Sequence, residues 1–464
     1  MMRTTMMMLS ALLCCGTAAA QSTQQAVAPA GSPPQEEALS PYQWRQAQKV
    51  AFETSERVYA LALKRRGLLS QYKAMLDAYR ADKDKAFRIV FGQYLSWYQS
   101  FVGDYVGAHD SYSIRQLPAS DDAPSPLGGG WKPHPAIETI ATLAKGRKAI
   151  FFNEAHNVPL TRTLTIQLLA RLREDGYTHF AAETLYSTDT GLQQRGYPVA
   201  DSGFYTMEPI CAEMVRTALE LGFKVVAYET EEEGNGDVRE NAQAKNLRDR
   251  VFRDDPDARL VVNAGYAHIQ ENGRYLGGRS MAQHFRKLTG IDPLTIEQTM
   301  LIEHPPGTEN HPYYHAVVDK LQPREPIVFT HRSGDTWSLK AKAYDVSVFF
   351  PVDVVREGRP TWADLGGMRQ PYSINGTLCQ GQFPCLVEAI PFDEGSDAIP
   401  SDRVVLDPMQ GSDNPDDRLF HNIVEVRGLM YLKPGRYRLA SQNAEGRVIS
   451  RRDVKIDARK RGGT

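Results

Sequence analysis

The spacing of apolar residues changes several times along the chain, and each change predicts a different kind of element. Between residues 41 and 107, apolar side chains such as Trp44, Val58 and Leu61 recur at spacings near three and four, which predicts helices. Residues 118–135 contain "SDDAPSPLGGGWKPHP", whose proline and glycine content predicts a linker. We therefore expect a helical region over residues 41–117, followed by the linker.

Short apolar runs alternate with helical patterns from residue 136 to about residue 365. Strands are predicted within "KAIFFNE", "THFAAET", "FKVVAYE", "RLVVNAG" and "LTIEQT", and a helix is predicted between each pair. Such alternation calls for right-handed crossovers and a mostly parallel sheet with helices on both faces. Further strands within "EPIVFTH" and "AYDVSVFFPVDV" are expected to complete this α/β domain.

The C-terminal part of the chain carries a different pattern. Residues 370–464 contain strand-like runs without intervening helices, and the last of these runs predicts a hairpin that turns at "NAEG". The predicted fold is therefore an α/β domain with an N-terminal helical region and a C-terminal β-rich appendage.

The first residues have the composition of an export signal. An apolar run over residues 6–15 and three alanines at residues 18–20 predict a signal peptide over residues 1–20, followed by a disordered leader over residues 21–40. The run is too short to span a bilayer, and no later stretch is long enough. We expect export to a bacterial periplasm. A lipid anchor at either cysteine of the run is the less favoured alternative, because bulky leucines precede them.

Composition argues against some partners and constrains the cysteines. The 464 residues carry a formal net charge of −2, so no charge bias points to nucleic acid or to an anionic membrane surface. Cys379 and Cys385 are close in sequence and could form a small disulfide loop after export. Cys211 lies on an apolar helix face, and we expect it to be a buried apolar residue.

Ionisable residues fall at the carboxyl ends of four predicted strands in succession. The first strand ends in Glu154 and His156, the second in Glu183, the third in Glu229, and the fourth runs into "GYAH" with His268. In a parallel sheet these ends lie along one edge, which is where open α/β folds bind ligands. Each residue alone is more simply explained as a solvated side chain or a helix cap, but the series together favours a shared cleft.

Histidine and glutamate in one cleft suit two kinds of chemistry. Neutral imidazoles and carboxylates bind first-row metals. The candidate ligands of one divalent Mn, Co, Fe or Zn ion are His156, His268, Glu154, Glu183 and Glu229. Without a metal, a histidine oriented by a carboxylate can deprotonate water as a general base. Arg162 and Arg239 either stabilise a developing oxyanion or are ordinary solvated arginines.

The usual motifs of several enzyme classes are missing. The sequence has no GxSxG, P-loop, HExxH or GxGxxG pattern, so serine hydrolase, NTPase, zincin and Rossmann dehydrogenase interpretations lack support. Tyr186, Tyr205 and Tyr266 either line the cleft for an apolar or ring-bearing ligand or belong to the core.

Several segments resemble the superfamily that joins erythromycin esterases, TraB/TIKI proteins and ChaN-like proteins. The similar segments, over roughly residues 145–350, are "NEAHNVPLTR", "AAET", "VVAYE", "RENAQAKNL", "VVNAGYAHI" and the closing strand "YDVSVFF". The family shows Gly-Glu-x-His or Gly-x-x-His after its first strand and a second Gly-x-x-His near its end. Between these it has a strand-end Glu and an Arg-Asp/Glu-x-x-x-Ala-x-Asn helix. By this resemblance the functional residues are Glu154, His156, Arg162, Glu183, Arg239, Asn246 and His268.

The chain departs from the family pattern in three respects. Asn153 stands where glycine is usual, and Gln243 stands where methionine is common. Asparagine can occupy a left-handed turn, so we expect the backbone at Asn153 to be kept. The spacing between Glu154 and His156 is one residue shorter than in the erythromycin esterases, so the resemblance does not imply macrolide hydrolysis.

Members of this family differ in chemistry, so the resemblance implies the fold more firmly than the reaction. Some look like metal-free esterases, TIKI proteins are metal-dependent proteases, and ChaN-like proteins bind haem. Our leading hypothesis is an exported hydrolase that cleaves an ester, lactone or amide of a small molecule or peptide, with water activated directly or through the metal. One alternative is a haem- or iron-binding carrier with Tyr266 as a ligand, and another is an interaction module on a degenerate catalytic fold. The oligomeric state stays open.

Overall fold

The computed structural model describes residues 40–230, 236–408 and 425–458. The predicted signal peptide and the leader before Ser40 lie outside the described residues, so both stay predictions. Within the described ranges, no helix combines the length and the apolar character that crossing a membrane requires.

Helices form the N-terminal region, as the sequence predicts. They are α1 (Pro41–Leu63), α2 (Leu68–Ala81), α3 (Lys85–Phe101) and α4 (Tyr105–Ser111). Ser40 caps α1 through a capping box, in which its hydroxyl accepts from the Gln43 N–H and the Gln43 side chain accepts from the Ser40 N–H. The aromatic residues of α3 are buried, and Trp97 packs against Phe204 and Tyr205 of the α/β domain. The helical region therefore covers part of that domain.

Strands and helices alternate through the central part of the chain. The strands are β1 (Lys132–Pro135), β2 (Ala149–Glu154), β3 (His179–Ala182), β4 (Lys224–Ala227), β5 (Leu260–Gly265), β6 (Leu294–Glu297), β7 (Ile327–Thr330) and β8 (Val346–Ser347). The helices are α5 (Ala136–Ala144), α6 (Leu160–Glu174), α7 (Leu192–Arg195), α8 (Pro209–Glu220), α9 (Gly236–Leu247), α10 (Met281–Thr289) and α11 (Pro312–Leu321). Six strands form a parallel sheet in the order β4-β3-β5-β2-β6-β8, which confirms the predicted α/β class.

Alternate residues of the central strand β2 face two different hydrophobic layers. Ile150 and Phe152 pack with residues of α5, α6 and α8, and we call this side of the sheet the α6 face. Ala149 and Phe151 pack with residues of α9 and α10, and we call this side the α9 face. Helices thus cover both faces of the sheet, as predicted.

The segment "EPIVFTH" forms a strand, as expected, but this strand lies outside the six-stranded parallel sheet. Its strand β7 pairs antiparallel with β1, which lies at the end of the predicted linker. The prolines of β1 lack N–H donors, so this segment suits a two-stranded edge better than the interior of a sheet. The last strand of the parallel sheet is instead β8, from "YDVSVFF".

The C-terminal region is β-rich and antiparallel, as predicted. Its strands are β9 (Val355–Arg356), β10 (Arg359–Pro360), β11 (Gln370–Asn375), β12 (Cys385–Pro391), β13 (Asp402–Leu406), β14 (Arg427–Leu432), β15 (Gly435–Asn443) and β16 (Val448–Ile456). Strands β13, β12, β15 and β16 form one sheet, and the β15–β16 turn falls at "NAEG". Cys379 and Cys385 form the expected disulfide, and Cys211 is free and buried.

Candidate active site

Glu154 ends β2 on the α6 face, where Arg162 in the first turn of α6 holds it. Arg162 Nε and Nη2 donate to the two carboxylate oxygens at 2.6 and 2.7 Å, and Nη2 also donates to the His156 carbonyl at 3.0 Å. Burial, the largest influence, would raise the pKa of Glu154, but the charge of Arg162 and the hydrogen bonds from His156 and Arg162 act together to hold that pKa below its usual range. The carboxylate is therefore ionised, and the buried bidentate pair fixes the turn between β2 and α6.

Glu154 in turn orients the ring of His156. His156 Nδ1 lies 3.0 Å from Glu154 Oε1, and an ionised carboxylate can only accept the Nδ1–H. The ring stacks on Tyr205 with 4.0 Å between centroids, and Tyr266 meets it edge-on at 5.3 Å. These contacts set the orientation of the imidazole and leave Nε2 as its basic nitrogen.

Gly265, the last residue of β5, allows His156 to approach the edge of the sheet. A Cβ on Gly265 would lie 2.4 Å from His156 Nε2 and 3.2 Å from Glu183 Oε2. The φ angle of Gly265 is −73°, so space and not backbone conformation favours glycine here. His156 Nε2 and the Glu183 carboxylate therefore share one small volume beside the end of β5.

Glu183 follows β3 and connects His156 with a second group of charged residues. Its Oε2 accepts from the Gly265 N–H at 2.6 Å, and its Oε1 accepts from Arg239 Nη2 at 2.8 Å. His268 Nε2 lies 3.4 Å from the same Oε1 and 3.3 Å from Arg239 Nη1. Burial would raise the pKa of Glu183, but the charges of His268 and Arg239 outweigh it and hold the pKa well below its usual range.

Arg239 of α9 is held in place by Glu229 at the end of the β4 segment. Its Nη2 and Nε donate to the Glu229 carboxylate at 2.5 and 3.2 Å, and Gln243 donates to the same carboxylate at 3.0 and 3.1 Å. Asn246 donates to the Tyr228 carbonyl at 3.0 Å. Arg239, Gln243 and Asn246 therefore join α9 to the residues that follow β4. Glu229 bonds Arg239 directly, and Asn246 bonds the segment that follows β4. Among the described residues, neither side chain has a hydrogen bond to His156.

Glu240 of α9 contacts His268 and is a further member of the candidate site, although it is not among the residues predicted from the sequence. Its Oε2 lies 2.8 Å from His268 Nδ1 and accepts from the Met281 N–H at 2.7 Å. Burial would lower the pKa of His268, but the carboxylates of Glu183 and Glu240 outweigh burial and raise it. The sequence feature that could have identified Glu240 is its position directly after Arg239 in "RENAQAKN". The family pattern quoted above also has an acidic residue at that position.

Glu208 is a second buried carboxylate that sequence reasoning missed. It caps α8 by accepting from the Ile210 and Cys211 N–H groups at 2.6 and 2.7 Å, and it accepts from the Tyr105 hydroxyl at 2.9 Å. Its Oε2 also lies 3.4 Å from Arg162 Nη1. A glutamate before the proline of "EPICAEMV" predicts a helix cap, but nothing local predicts its contact with Arg162.

Asn153 does not occupy a left-handed turn, contrary to the expectation from its glycine-like position. It lies inside β2, opposite Ala264 of β5. Its Nδ2 donates to the Tyr266 carbonyl at 2.9 Å, and its Oδ1 accepts from the Gln298 N–H at 2.6 Å. The left-handed residue at this edge is Tyr266, with a φ of 43°. Asn153 therefore links the ends of three neighbouring segments.

The tyrosines chosen from the sequence have different positions. Tyr205 and Tyr266 contact His156, as described above, whereas Tyr186 lies beside His179 and Asp189 on a separate surface depression. Tyr266 also lines a cleft of about 300 Å³, together with Ala155 and Tyr275. Because the Tyr275 ring lies 4.9 Å from that of His268, this cleft adjoins both histidines of the site.

The candidate metal ligands bond to arginines and to one another. Arg162 engages both oxygens of Glu154, and Arg239 engages Glu183 and Glu229. Over the part of the chain that the structure describes, no three His, Cys, Asp or Glu side chains are grouped as a metal ion would require. In this arrangement the donors do not fit a divalent cation, because guanidinium groups already neutralise the carboxylates. Metal and haem binding stay predictions.

Comparisons with known proteins find only distant structural likeness. No family model matches the chain, and no curated protein matches it. Among solved structures, the type III effector HopBA1 is 14% identical, with 42% of this chain and 96% of that chain covered and a TM-score of 0.27. RRSP, a MARTX toxin effector domain from Vibrio vulnificus, is 14% identical, with 55% and 62% covered and a TM-score of 0.26. An erythromycin esterase mutant in its open conformation is 16% identical, with 61% and 80% covered and a TM-score of 0.19. Likeness at this level assigns neither a family nor an activity to the chain.

Proposed function

We propose that this protein hydrolyses an ester, lactone or amide of a small molecule or peptide, with water deprotonated by His156. The observation that supports this proposal most strongly is the series of contacts from Arg162 through Glu154 to His156. A carboxylate fixed by a guanidinium holds Nδ1–H, so Nε2 is available to take a proton from water. Nε2 lies beside Gly265 and Glu183, at the strand ends where open α/β folds bind ligands.

Arg239 and His268 supply positive charge on the other side of the same volume. When hydroxide adds to a carbonyl carbon, the carbonyl oxygen becomes an oxyanion, which Arg239 and protonated His268 stabilise. The raised pKa of His268 favours the imidazolium form, which can also give its proton to the leaving group. Glu183 keeps both cations in position through Oε1. Each of these steps uses side chains of this protein alone.

A hydrolysis assay with and without His156 tests this proposal. The substrates are 4-nitrophenyl esters of increasing chain length, a simple lactone and an anilide, and the variant is His156→Ala. We expect kcat/KM to fall by about 10² to 10⁴-fold, the range for loss of a general base, while the melting temperature stays close to that of the wild type. The matched control is His179→Ala, because His179 is also buried but starts β3 at the opposite edge of the sheet.

Two outcomes of that assay contradict the proposal. One is a wild-type protein that hydrolyses none of the substrates, and the other is a His156→Ala variant that is as active as the His179→Ala control. Elemental analysis of protein purified without chelator addresses the metal separately. We expect an active preparation without stoichiometric metal. A near-stoichiometric divalent metal that is lost in both His156→Ala and His268→Ala would replace direct water activation with metal-assisted activation.

A further inference from the structure

Tyr205 is a buried tyrosine whose hydroxyl group has no hydrogen-bond partner among the described residues. The residue is 2% exposed, and its ring lies flat against that of His156, with 4.0 Å between centroids and 11° between planes. The hydroxyl is not one of the fully enclosed polar atoms that lack a partner in the described part of the chain. It is therefore open to a molecule that enters the site beside His156.

Other buried tyrosines of this chain use their hydroxyl groups inside the protein. Tyr177 donates to the Ala144 carbonyl at 3.1 Å. Tyr228 donates to the Asn263 carbonyl at 3.2 Å. A buried tyrosine hydroxyl normally finds such a partner, because a hydrogen bond left unmade in the interior costs free energy. The hydroxyl of Tyr205 therefore indicates an acceptor that binds from outside the protein.

The charges that act on the hydroxyl place it on the Nε2 side of His156. Glu154 holds Nδ1, whereas the Glu183 carboxylate shares the small volume beside Nε2. The charge of Glu183 acts more strongly on the Tyr205 hydroxyl than the charge of Glu154, and the charge of Arg239 also reaches it. Because charge interactions weaken with distance, the hydroxyl lies toward Glu183. It therefore faces the volume in which the proposed base and Arg239 act.

The hydroxyl keeps its proton, and the ring that carries it is held in place. Burial, and next the carboxylate of Glu183, raise the pKa of Tyr205 well above its usual value. Trp97 and Phe204 meet the ring edge-on at 6.1 and 5.2 Å, and Thr184 Oγ1 accepts from the backbone N–H at 2.9 Å. The group is thus a fixed and neutral hydrogen-bond donor, which suits the stabilisation of a developing oxyanion.

We propose that the Tyr205 hydroxyl donates a hydrogen bond to the substrate oxygen that becomes the oxyanion. This assignment rests on the proposed hydrolase function, and it makes Tyr205 a further catalytic residue of that reaction. The O–H bond of Tyr205 is kept throughout, so His156 still takes the proton of water and His268 still supplies the proton of the leaving group. A substrate must therefore place its carbonyl oxygen within reach of both Tyr205 and Arg239.

Tyr205→Phe removes the hydroxyl and keeps the stacked ring, so the kinetics of this variant test the inference. With the ester substrates above, we expect kcat to fall by about 10² to 10³-fold with little change in KM, which is the effect of losing one oxyanion donor. The matched control is Tyr177→Phe, which loses the hydroxyl of another buried tyrosine and should keep the wild-type kcat.

The melting temperatures of the same two variants show whether the Tyr205 hydroxyl is bonded within the protein. Tyr177→Phe loses a hydrogen bond and should unfold at a lower temperature than the wild type. Tyr205→Phe loses no such bond and should be at least as stable as the wild type. A Tyr205→Phe protein that is as destabilised as the control would overturn the inference.

Binding of phenyl methylphosphonate, a tetrahedral anion that resembles the intermediate of ester hydrolysis, tests the donor without turnover. By calorimetry on the full chain we expect Tyr205→Phe to bind it about tenfold or more weakly than the wild type and Tyr177→Phe do. Equal affinities of the three proteins, or no binding by any of them, would overturn the inference. Binding that depends on Tyr205 in a protein that hydrolyses none of the substrates would support the donor and contradict only the proposed function. Hydrolysis that is lost in His156→Ala but kept in Tyr205→Phe would contradict only this inference.

Discussion

Gly265 and His156 lie so close together that a Cβ on Gly265 would be 2.4 Å from His156 Nε2. The imidazole has little freedom to move away, because Glu154 holds Nδ1 at 3.0 Å and Tyr205 stacks on the ring at 4.0 Å. Because Gly265 of β5 has no side chain, His156, the proposed base that follows β2, can occupy this position.

Gly265→Ala is expected to remove activity with a smaller effect on folding. The φ of −73° suits alanine, so the added methyl group acts by displacing His156 and not by straining the backbone. A displacement of about 1 Å can cost about 10²-fold in rate, and overpacking of this kind costs about 1–3 kcal/mol of unfolding free energy. Steady-state kinetics and urea denaturation measure the two effects. Gly128→Ala, where the nearest atom to the new Cβ is 4.0 Å away, serves as the control. A fully active Gly265→Ala protein would show that His156 does not act from this position.

Glu154→Gln is expected to lower both stability and activity. The substitution keeps the shape of the side chain but leaves the buried Arg162 with Glu208 as its remaining carboxylate partner, at 3.4 Å. Breaking a fully buried ion pair costs about 3–5 kcal/mol, which urea denaturation can measure. Activity should fall as well, because a neutral amide no longer fixes the Nδ1–H tautomer of His156. Glu138→Gln removes an exposed partner of Arg171 and should leave both properties unaltered. Wild-type stability in Glu154→Gln would refute the structural role given to this pair.

The sequence predicts the strand ends well because local pattern and topology agree there. In "AIFFNE" and "LVVNAG" an apolar run stops at a polar or small residue, and strand–helix alternation brings such ends to one edge of a parallel sheet. The amino-acid sequence alone is therefore enough to bring Glu154, His156, Glu183 and His268 to one edge of the sheet.

The remaining members of the site depend on contacts that no local pattern records. Glu240 meets His268 only because α9 packs beside the segment that follows β5, and Glu208 meets Arg162 only because α8 packs beside α6. The pairing of β1 with β7 joins segments far apart in sequence, one of them rich in proline, and so leaves no periodic signal.

Asn153→Gly tests whether asparagine at the usual glycine position impairs the site. The structure gives Asn153 a supporting role, since it bonds the Tyr266 carbonyl and the Gln298 backbone. Losing these bonds and placing glycine within a strand should lower the unfolding free energy by about 2–4 kcal/mol without raising activity. Thermal denaturation and the ester assay measure both effects, with exposed Asn272→Gly as the control. Higher activity at unchanged stability would instead mark Asn153 as a defect of a degenerate site.

The opposite pKa shifts of Glu183 and His268 predict a stability maximum in mildly acidic solution. The pKa of Glu183 is depressed, so its contribution to folding is present above the unfolded value of about 4.3 and is lost as the pH falls toward the folded value. Despite burial, the carboxylates of Glu183 and Glu240 raise the pKa of His268. Its contribution is complete below the unfolded value of about 6.5 and is lost as the pH rises through the folded value. Both contributions are present between about pH 5 and pH 6.5.

His268→Gln should therefore flatten the alkaline side of the stability profile. Above about pH 6.5 only the folded wild-type protein keeps the His268 proton, so its stabilisation declines until the pH has passed the raised folded pKa of His268, whereas glutamine has no proton to release. Urea denaturation at about pH 5.5, 7 and 8.5 should show the stability difference between wild type and variant shrinking as the pH rises. Exposed His315→Gln should keep the wild-type slope. Parallel profiles for wild type and His268→Gln would mean that the carboxylates of Glu183 and Glu240 do not hold a proton on His268, and its role as the acid of the proposed hydrolysis would fall with that result.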